Sequence, residues 1–194
     1  MIRLASGSTT RAELLRDAGI EFIQESVDFD EDMIIASSPK NFVYQATLGK
    51  YGVNMGAFGI EDYPLLVADT VVTSQGKILR KAKTETEARD ILMTQSGNIT
   101  SIVTCMIYHS KKMKIIDISQ TDYIFEEFNN HDLDRYIDSG IWRGKAGACM
   151  VEGFCKKYIK EVRGNESTAM GLNTQILKRF MLKWTVIYGV VLKL

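Results

Sequence analysis

The run Leu65-Leu66-Val67-Ala68-Asp69-Thr70 lies in the middle third of the chain and decides its fold class. Its four apolar residues predict a buried strand, which residues 71–73 continue, and Ser74-Gln75-Gly76-Lys77 has the composition of a hairpin turn. A carboxylate at such a position can hold a divalent cation or accept a proton from water, because packing fixes the strand while the side chain reaches a cleft. A turn-forming or helix-capping aspartate is the alternative that this run alone leaves open.

Strand and helix patterns alternate on both sides of the central run. Strands are predicted over residues 2–5, 22–27, 65–73, 99–108, 115–125 and 158–162, and helices over residues 9–18, 39–55, 84–97, 130–140 and 174–183. This interleaving, with β-hairpins in the middle, predicts an α/β fold with a mixed sheet rather than a doubly wound parallel one. A length of 194 residues fits one domain over residues 1–194, with room for two lobes around a cleft.

The composition is that of a globular protein, with 45% hydrophobic and 25% charged residues. Twenty-four basic residues balance twenty-four acidic ones, so the formal net charge is zero. No long-range field would therefore attract DNA or an anionic membrane. A polyanionic ligand could bind only through a local cluster of lysine and arginine.

The compartment is predicted from the cysteines and from the hydropathy of the chain. Cys105, Cys149 and Cys155 form no CxxC pair and cannot all pair with one another, which favours free thiols in a reducing cytoplasm. We see no signal-peptide pattern at the N-terminus. The most apolar late segment, residues 184–192, is shorter than the roughly 20 residues that a membrane span needs.

The turn Ser6-Gly7-Ser8 lies between the first predicted strand and the first predicted helix. Free backbone N–H groups and the helix dipole favour an anion at such a turn. Arg11 and two hydroxyl groups within the first helical turn could add charge and hydrogen bonds. An ordinary N-cap beside a solvated arginine is the alternative.

Other charged residues carry little information when each is taken alone. Lys50, Lys81 and Lys145 are typical of surface lysines, and the acidic residues between Asp28 and Asp32 are typical of a solvated loop. Their order along the chain is more informative. It is Ser6, Ser8, Arg11, Glu31, Lys50, Ala68-Asp69-Thr70, Lys81 and Lys145-Ala146-Gly147-Ala148.

This ordered set closely resembles the Maf family of nucleotide pyrophosphatases, also called septum-formation proteins. The resemblance extends over residues 4–172, with the intervals from Glu31 to Lys50 and from Asp69 to Lys81 as the family has them. It implies a Maf/ITPase-like fold, with a mixed, elongated and twisted sheet, flanking helices and a central cleft. It also implies Mg²⁺- or Mn²⁺-dependent hydrolysis of nucleoside triphosphates to monophosphate and pyrophosphate.

The resemblance assigns roles residue by residue. Asp69 would be the catalytic residue and would hold the metal ion together with Glu31. The residues that would bind the phosphates or line their cleft are Ser6, Ser8, Arg11, Lys50, Lys81 and Lys145. A homodimer is also implied.

Three positions that help to select the base in the family are Thr10, Thr70 and Glu152 in this chain. Thr70 resembles the branch that prefers dTTP and UTP, whereas Glu152 resembles the branch that prefers 7-methyl-GTP and similar nucleotides. The chain also lacks the family's usual prolines at Thr9, Ala82 and Asn173. A fixed φ is lost at each.

Two other functions remain open at this stage. A nucleotide-binding regulator of cell division could keep the site with weak or no turnover, as the departures at Thr9 and Thr10 suggest. A nucleic-acid-binding module would need a basic stripe with interleaved aromatic residues. Only Lys156-Lys157-Tyr158 hints at one, so we expect no nucleic-acid partner and no membrane partner.

Overall fold

The computed structural model describes residues 1–31, 33–149, 151 and 153–189. It shows a mixed α/β fold in which one seven-stranded sheet is flanked by helices. The strands are β1 (Ile2–Leu4), β2 (Phe22–Gln24), β3 (Leu65–Ser74), β4 (Lys77–Leu79), β5 (Ile99–Ser110), β6 (Met113–Phe125) and β7 (Ile159–Arg163). The helices are α1 (Thr9–Asp17), α2 (Pro39–Phe58), α3 (Glu85–Gln95), α4 (Asn130–Asp138), a 3-10 helix (Phe154–Tyr158), α5 (Glu166–Ala169) and α6 (Thr174–Gly189).

The sheet has the order β2-β1-β3-β5-β6-β7, and β4 also pairs with β3. One edge of β3 pairs with β5 along the whole of Leu65–Ser74. The other edge is shared, because β1 pairs in parallel at Leu66 and β4 pairs antiparallel from Val72 onward. Among the described strands, none pairs with residues 67–71 on that edge. The gap places the Asp69 segment at an opening in the sheet.

Helices cover both faces of the sheet. Side chains alternate between the two faces of a strand. Leu66 and Ala68 of β3 pack in a buried cluster with residues of α1 and α6. Val71, on the opposite face, packs with Phe42 and Ala46 of α2. A separate buried cluster joins α3, α4 and the ends of β6 and the 3-10 helix, around the fully buried Trp142.

Local hydrogen bonds explain where the helices begin. Each N-cap side chain accepts a hydrogen bond from a backbone N–H in the first turn, which otherwise has no intrahelical acceptor. These caps are Ser8, Ser38, Thr84 and Asn129, and Asn165 caps α5. Asn173, which stands where the family usually has a proline, accepts from the backbone N–H of Ile176 and so caps α6.

The predicted strands and helices are confirmed as elements, with shifted bounds. The helix α2 continues to Phe58 and ends at Gly59, whose φ is 60°. The 3-10 helix and the short α5 were not predicted, because neither is long enough to show a period. Among the helices that the structure describes, none combines the length and apolar composition that crossing a bilayer requires.

The prediction of three free thiols is wrong for two of the cysteines. Cys149 and Cys155 form a disulfide, while Cys105 is free and buried in β5. The Cα atoms of Cys149 and Cys155 lie 6.2 Å apart, within the range that a disulfide bridges. Spacing in the sequence alone did not show this close approach.

Candidate active site

Segments from four parts of the chain meet at the gap in β3. They are the turn Ser6-Gly7-Ser8 after β1, the loop that carries Glu31, the middle of α2 with Lys50, and β3 itself. The Ser8 side chain caps α1, so this helix begins directly behind the turn. The side-chain amide of Gln24 donates to the carbonyl oxygens of Ser6 at 2.7 Å and of Ser8 at 3.2 Å. The turn is therefore held in place by β2.

Arg11 projects from α1 into this junction and is fixed by three hydrogen bonds. Its Nε donates to the Gly171 carbonyl at 2.9 Å and its Nη1 to Ser6 Oγ at 2.9 Å. Its Nη2 donates to Thr70 Oγ1 at 3.1 Å. A guanidinium has five N–H groups, so two remain beyond these bonds to described residues. The Arg11 guanidinium is therefore held in one orientation and has N–H groups with which it can bind an anion.

The two carboxylates meet on one ammonium group. Lys50 Nζ lies 2.5 Å from Asp69 Oδ1 and 2.5 Å from Glu31 Oε1. The Asp69 side chain is only 8% exposed, against 22% for Lys50 and 37% for Glu31. The second oxygen, Asp69 Oδ2, is buried and has no hydrogen-bond partner among the described residues. Such an oxygen is available to a cation or to a proton donor.

Burial is the largest cause of the pKa shifts of Asp69 and Arg11. It raises the pKa of Asp69, while the nearby Lys50 ammonium lowers that pKa by attraction and by a hydrogen bond. Glu31 adds to the increase because it is a like charge. Burial likewise lowers the pKa of the Arg11 guanidinium, and the Asp69 and Glu31 carboxylates oppose that effect. Asp69 is therefore a stronger base than an exposed aspartate.

A divalent cation would find two protein carboxylates here. No cluster of three or more metal-binding side chains occurs in the part of the chain that the structure describes. Mg²⁺ commonly binds through one or two carboxylates and completes its shell with substrate phosphates and water. Glu31 and Asp69 fit that pattern, since both already face one cation and Asp69 Oδ2 is unpaired among the described residues.

The loop that carries Glu31 is anchored to α2 at two points. The fully buried Asn54 side chain accepts from the backbone N–H of Val27 at 2.8 Å and donates to its carbonyl at 3.1 Å. The ring of Phe29 lies directly on Gly49, where a Cβ would stand 2.2 Å from the ring atom Cζ. Glu31 follows two residues later. The position of Glu31 therefore depends on residue 49 being a glycine, which leaves room for the Phe29 ring.

Two cavities flank the carboxylate pair, and Glu31 lines both of them. One of about 200 Å³ is polar and is formed by the turn Ser6-Gly7, Asp28, Lys50 and Asn54. The other, of about 310 Å³, has the mostly apolar walls Phe42, Val71, Val72, Ile78 and Leu79, with Thr70 and Lys81 beside them. The site thus has a charged half and an apolar half.

The structure brings most of the predicted site residues together. Ser6, Ser8, Arg11, Glu31, Lys50, Asp69 and Thr70 form the junction described above. Lys81 lines the apolar cavity and pairs through its backbone with Ala146, so the exposed Lys145 lies next to the cavity wall. Thr10 is half-buried in the first turn of α1. Glu152 lies outside the described residues.

Several residues that shape the site were not found from the sequence. Thr104 of β5 contacts Thr70, Asn54 holds the acidic loop, and Gly49 makes room for Phe29. The threonine and the asparagine resemble ordinary strand and helix residues. A glycine in the interior of a predicted helix was the one signal available, because glycine there is unfavourable without a packing reason.

Comparison with known proteins gives a consistent result. A family model described as "Maf-like protein" matches residues 1–184. A Nitratiruptor protein named nucleoside triphosphate pyrophosphatase is 57% identical over 179 residues, which cover 91% of this chain and 96% of that relative. Proteins with the same name from Campylobacter jejuni and Helicobacter pylori are 36% and 35% identical. These matches cover 93% and 89% of this chain, and 100% and 90% of those relatives.

Proposed function

This chain belongs to the Maf family, and from that premise we propose that it is a metal-dependent nucleoside triphosphate pyrophosphatase. The reaction would convert a nucleoside triphosphate and water into the monophosphate and pyrophosphate. The observation that carries the proposal is the convergence of Arg11, Lys50, Glu31 and Asp69 at the gap in β3. The names of the relatives support the same reaction.

The phosphate tail would bind in the polar cavity. Its wall includes the turn Ser6-Gly7, which precedes the N-terminus of α1, where backbone N–H groups and the helix dipole favour an anion. Arg11 is fixed beside Ser6 and has N–H groups left for phosphate oxygens. Lys50 supplies a second positive charge. These groups would offset the repulsion between a tetra-anionic substrate and the nearby carboxylates.

Glu31 and Asp69 would hold Mg²⁺ or Mn²⁺. The bound ion would supply charge for the departing pyrophosphate and lower the pKa of the attacking water. Asp69 would accept the proton of that water as the water oxygen bonds to the α-phosphorus and the bond to pyrophosphate breaks. Burial raises the pKa of Asp69, which favours this role. The adjacent Lys50 ammonium opposes that increase in the pKa by attraction and by a hydrogen bond.

The nucleoside would occupy the apolar cavity. Phe42, Val71 and Leu79 offer apolar surface to a base and ribose, and Lys81 lies at the same wall. Lys145 would approach from the neighbouring segment. The family resemblance of Thr70 supports dTTP or UTP as substrate, and that of Glu152 supports 7-methyl-GTP or a similar modified nucleotide. Thr10 would contribute to the same choice.

Pyrophosphate release across a panel of common and modified triphosphates tests the proposal. We expect pyrophosphate, not orthophosphate, from at least one nucleotide, and only with Mg²⁺ or Mn²⁺ present. Replacing Asp69 by asparagine should lower turnover by about two orders of magnitude or more while the protein stays folded. A complete panel without pyrophosphate would refute the proposal.

The same panel separates the enzyme from the regulator of cell division. A regulator would bind a triphosphate tightly in calorimetry and release no pyrophosphate. We further propose a homodimer, on the strength of the family resemblance alone, and a cytoplasmic location, which the free thiol of Cys105 supports. Light scattering of the purified protein checks the dimer, with a monomer as the contrary result.

A further inference from the structure

Two hydroxyl groups and one carbonyl group link Arg11 to the buried core by a series of hydrogen bonds. Thr70 Oγ1, which accepts from Arg11, lies 2.9 Å from Thr104 Oγ1. Thr104 Oγ1 in turn lies 2.8 Å from the carbonyl oxygen of Thr168. The four residues belong to α1, β3, β5 and α5. We call this series of contacts the threonine relay.

The direction of every bond in the threonine relay is fixed by proton count. A carbonyl can only accept, so Thr104 donates its single hydroxyl proton to Thr168. The proton between Thr70 and Thr104 must then come from Thr70. Thr70 therefore has no proton left and presents only lone pairs to Arg11, which can only donate. Each bond is satisfied in one arrangement alone.

We propose that Thr104 is a positioning residue that fixes the Arg11 guanidinium for triphosphate binding. Thr104 is 1% exposed and lines neither of the two cavities that flank the carboxylate pair. It acts by holding the Thr70 hydroxyl as an acceptor. The catalytic part of this inference rests on the proposed function, whereas the effect on Arg11 does not.

The orientation of the Arg11 guanidinium depends on three hydrogen-bond acceptors that lie in separate parts of the chain. Without the Thr104 hydroxyl, the Thr70 proton loses its acceptor in the relay and its direction is no longer fixed. Whenever that proton turns toward Arg11, Nη2 loses its acceptor while Nε and Nη1 keep theirs. The guanidinium would turn more freely, and phosphate binding would then have to order it again.

Three variants test the inference. Thr104→Val removes the hydroxyl at nearly constant volume, and Thr104→Ser restores it. Thr121→Val is the matched control, because Thr121 is also fully buried and donates to a carbonyl at the start of the same α5 segment, Asn165 O at 2.7 Å. It has no contact with Arg11 among the described hydrogen bonds. Both valine variants should lose similar stability.

The first readout follows Arg11 itself, by NMR of protein carrying ¹⁵N-arginine. We expect the Arg11 side-chain N–H signals to exchange with water about tenfold faster in Thr104→Val than in wild type, and to be unchanged in Thr104→Ser and Thr121→Val. Equal protection in all four proteins would overturn the inference. This readout needs no turnover, so it decides the relay even if pyrophosphate release fails.

The second readout is the split between KM and kcat. Loss of a fixed phosphate-binding group should raise KM for the triphosphate about tenfold in Thr104→Val and leave kcat within about threefold. Thr104→Ser should restore the wild-type KM. A purely structural role would reduce the folded fraction, lower the apparent kcat and leave KM unchanged in both valine variants, and that pattern would refute the positioning role.

Discussion

Replacing Gly49 by alanine should displace Glu31 from the carboxylate pair and leave the stability of the protein nearly unchanged. The new Cβ would lie 2.2 Å from Cζ and 2.4 Å from Cε1 of Phe29, distances at which the ring cannot stay. Phe29 would therefore leave its place on α2. Phe29 anchors the loop that holds Glu31, and in the native protein Glu31 Oε1 lies 2.5 Å from Lys50 Nζ.

The magnitude can be worked from matched positions in the same helix. Gly52 and Gly56 are exposed, and a Cβ on either would meet no atom within 4 Å. Alanine at each should stabilise the helix by about 0.5–1 kcal/mol. At Gly49 the same gain is offset by the lost burial of a half-buried phenylalanine, about 1 kcal/mol, or half the value for full burial. We expect Gly49→Ala to be nearly neutral for stability.

The effect on the site should be much larger than the effect on stability. A displacement of about 1 Å can cost 10²-fold in rate, so we expect kcat/KM of Gly49→Ala to fall by about tenfold or more, with a higher Mn²⁺ requirement. Gly52→Ala and Gly56→Ala should keep wild-type activity and melt about 1–4 °C higher. The assays are thermal unfolding and Mn²⁺ titration of pyrophosphate release. If Gly49→Ala gained the same stability and kept the same Mn²⁺ response as the two controls, the proposed anchoring of Glu31 by Phe29 would be wrong.

Further measurements test other parts of the structure. Because burial raises the pKa of Asp69 above its unfolded value, the metal-free folded protein binds this proton more tightly, and its melting temperature should fall as pH rises from the ordinary aspartate range through the raised pKa. Asp69→Asn should flatten that profile, whereas an unchanged slope would contradict the assignment. In the same pH range, Mn²⁺ affinity should rise with pH, since the proton and the metal ion compete for one carboxylate. Burial raises the pKa of Cys105 to about 11, so iodoacetamide at pH 8 should not label it in the folded protein. Denatured protein should show one reactive thiol before reduction and three after it, as the Cys149–Cys155 disulfide requires, and three before reduction would exclude that pairing.

Much of the fold could be predicted from short-range patterns. The apolar run before Asp69 became the central strand because burial on both faces leaves room for few polar residues. Thr84 caps its helix where the predicted helix begins, and Asn129 caps the next helix one residue before the predicted start, since a cap needs only a backbone N–H three residues away. Such features depend on a few consecutive residues. The 3-10 helix and the Cys149–Cys155 disulfide lacked a comparable signal.

The candidate site was predicted as a set of residues rather than as a geometry. The order of charged residues and its family resemblance identified Arg11, Lys50 and Asp69 as site residues. They did not predict that the Lys50 ammonium contacts both carboxylates. The anchoring of Phe29 on Gly49 depends on how a loop crosses a helix. No spacing along the chain encodes that crossing directly.

The sequence by itself determined most of the segments that form strands and helices, and which charged groups could act on a triphosphate. Only the tertiary structure decided where β1 stops and β4 begins along β3, and hence where the sheet opens beside Asp69. It also decided the direction of the threonine relay, which joins residues 59, 34 and 64 positions apart. The physical reason is range, because helix caps and strand patterns act within one or two turns of chain. Hydrogen-bond partners across a sheet depend on the register that the whole core selects.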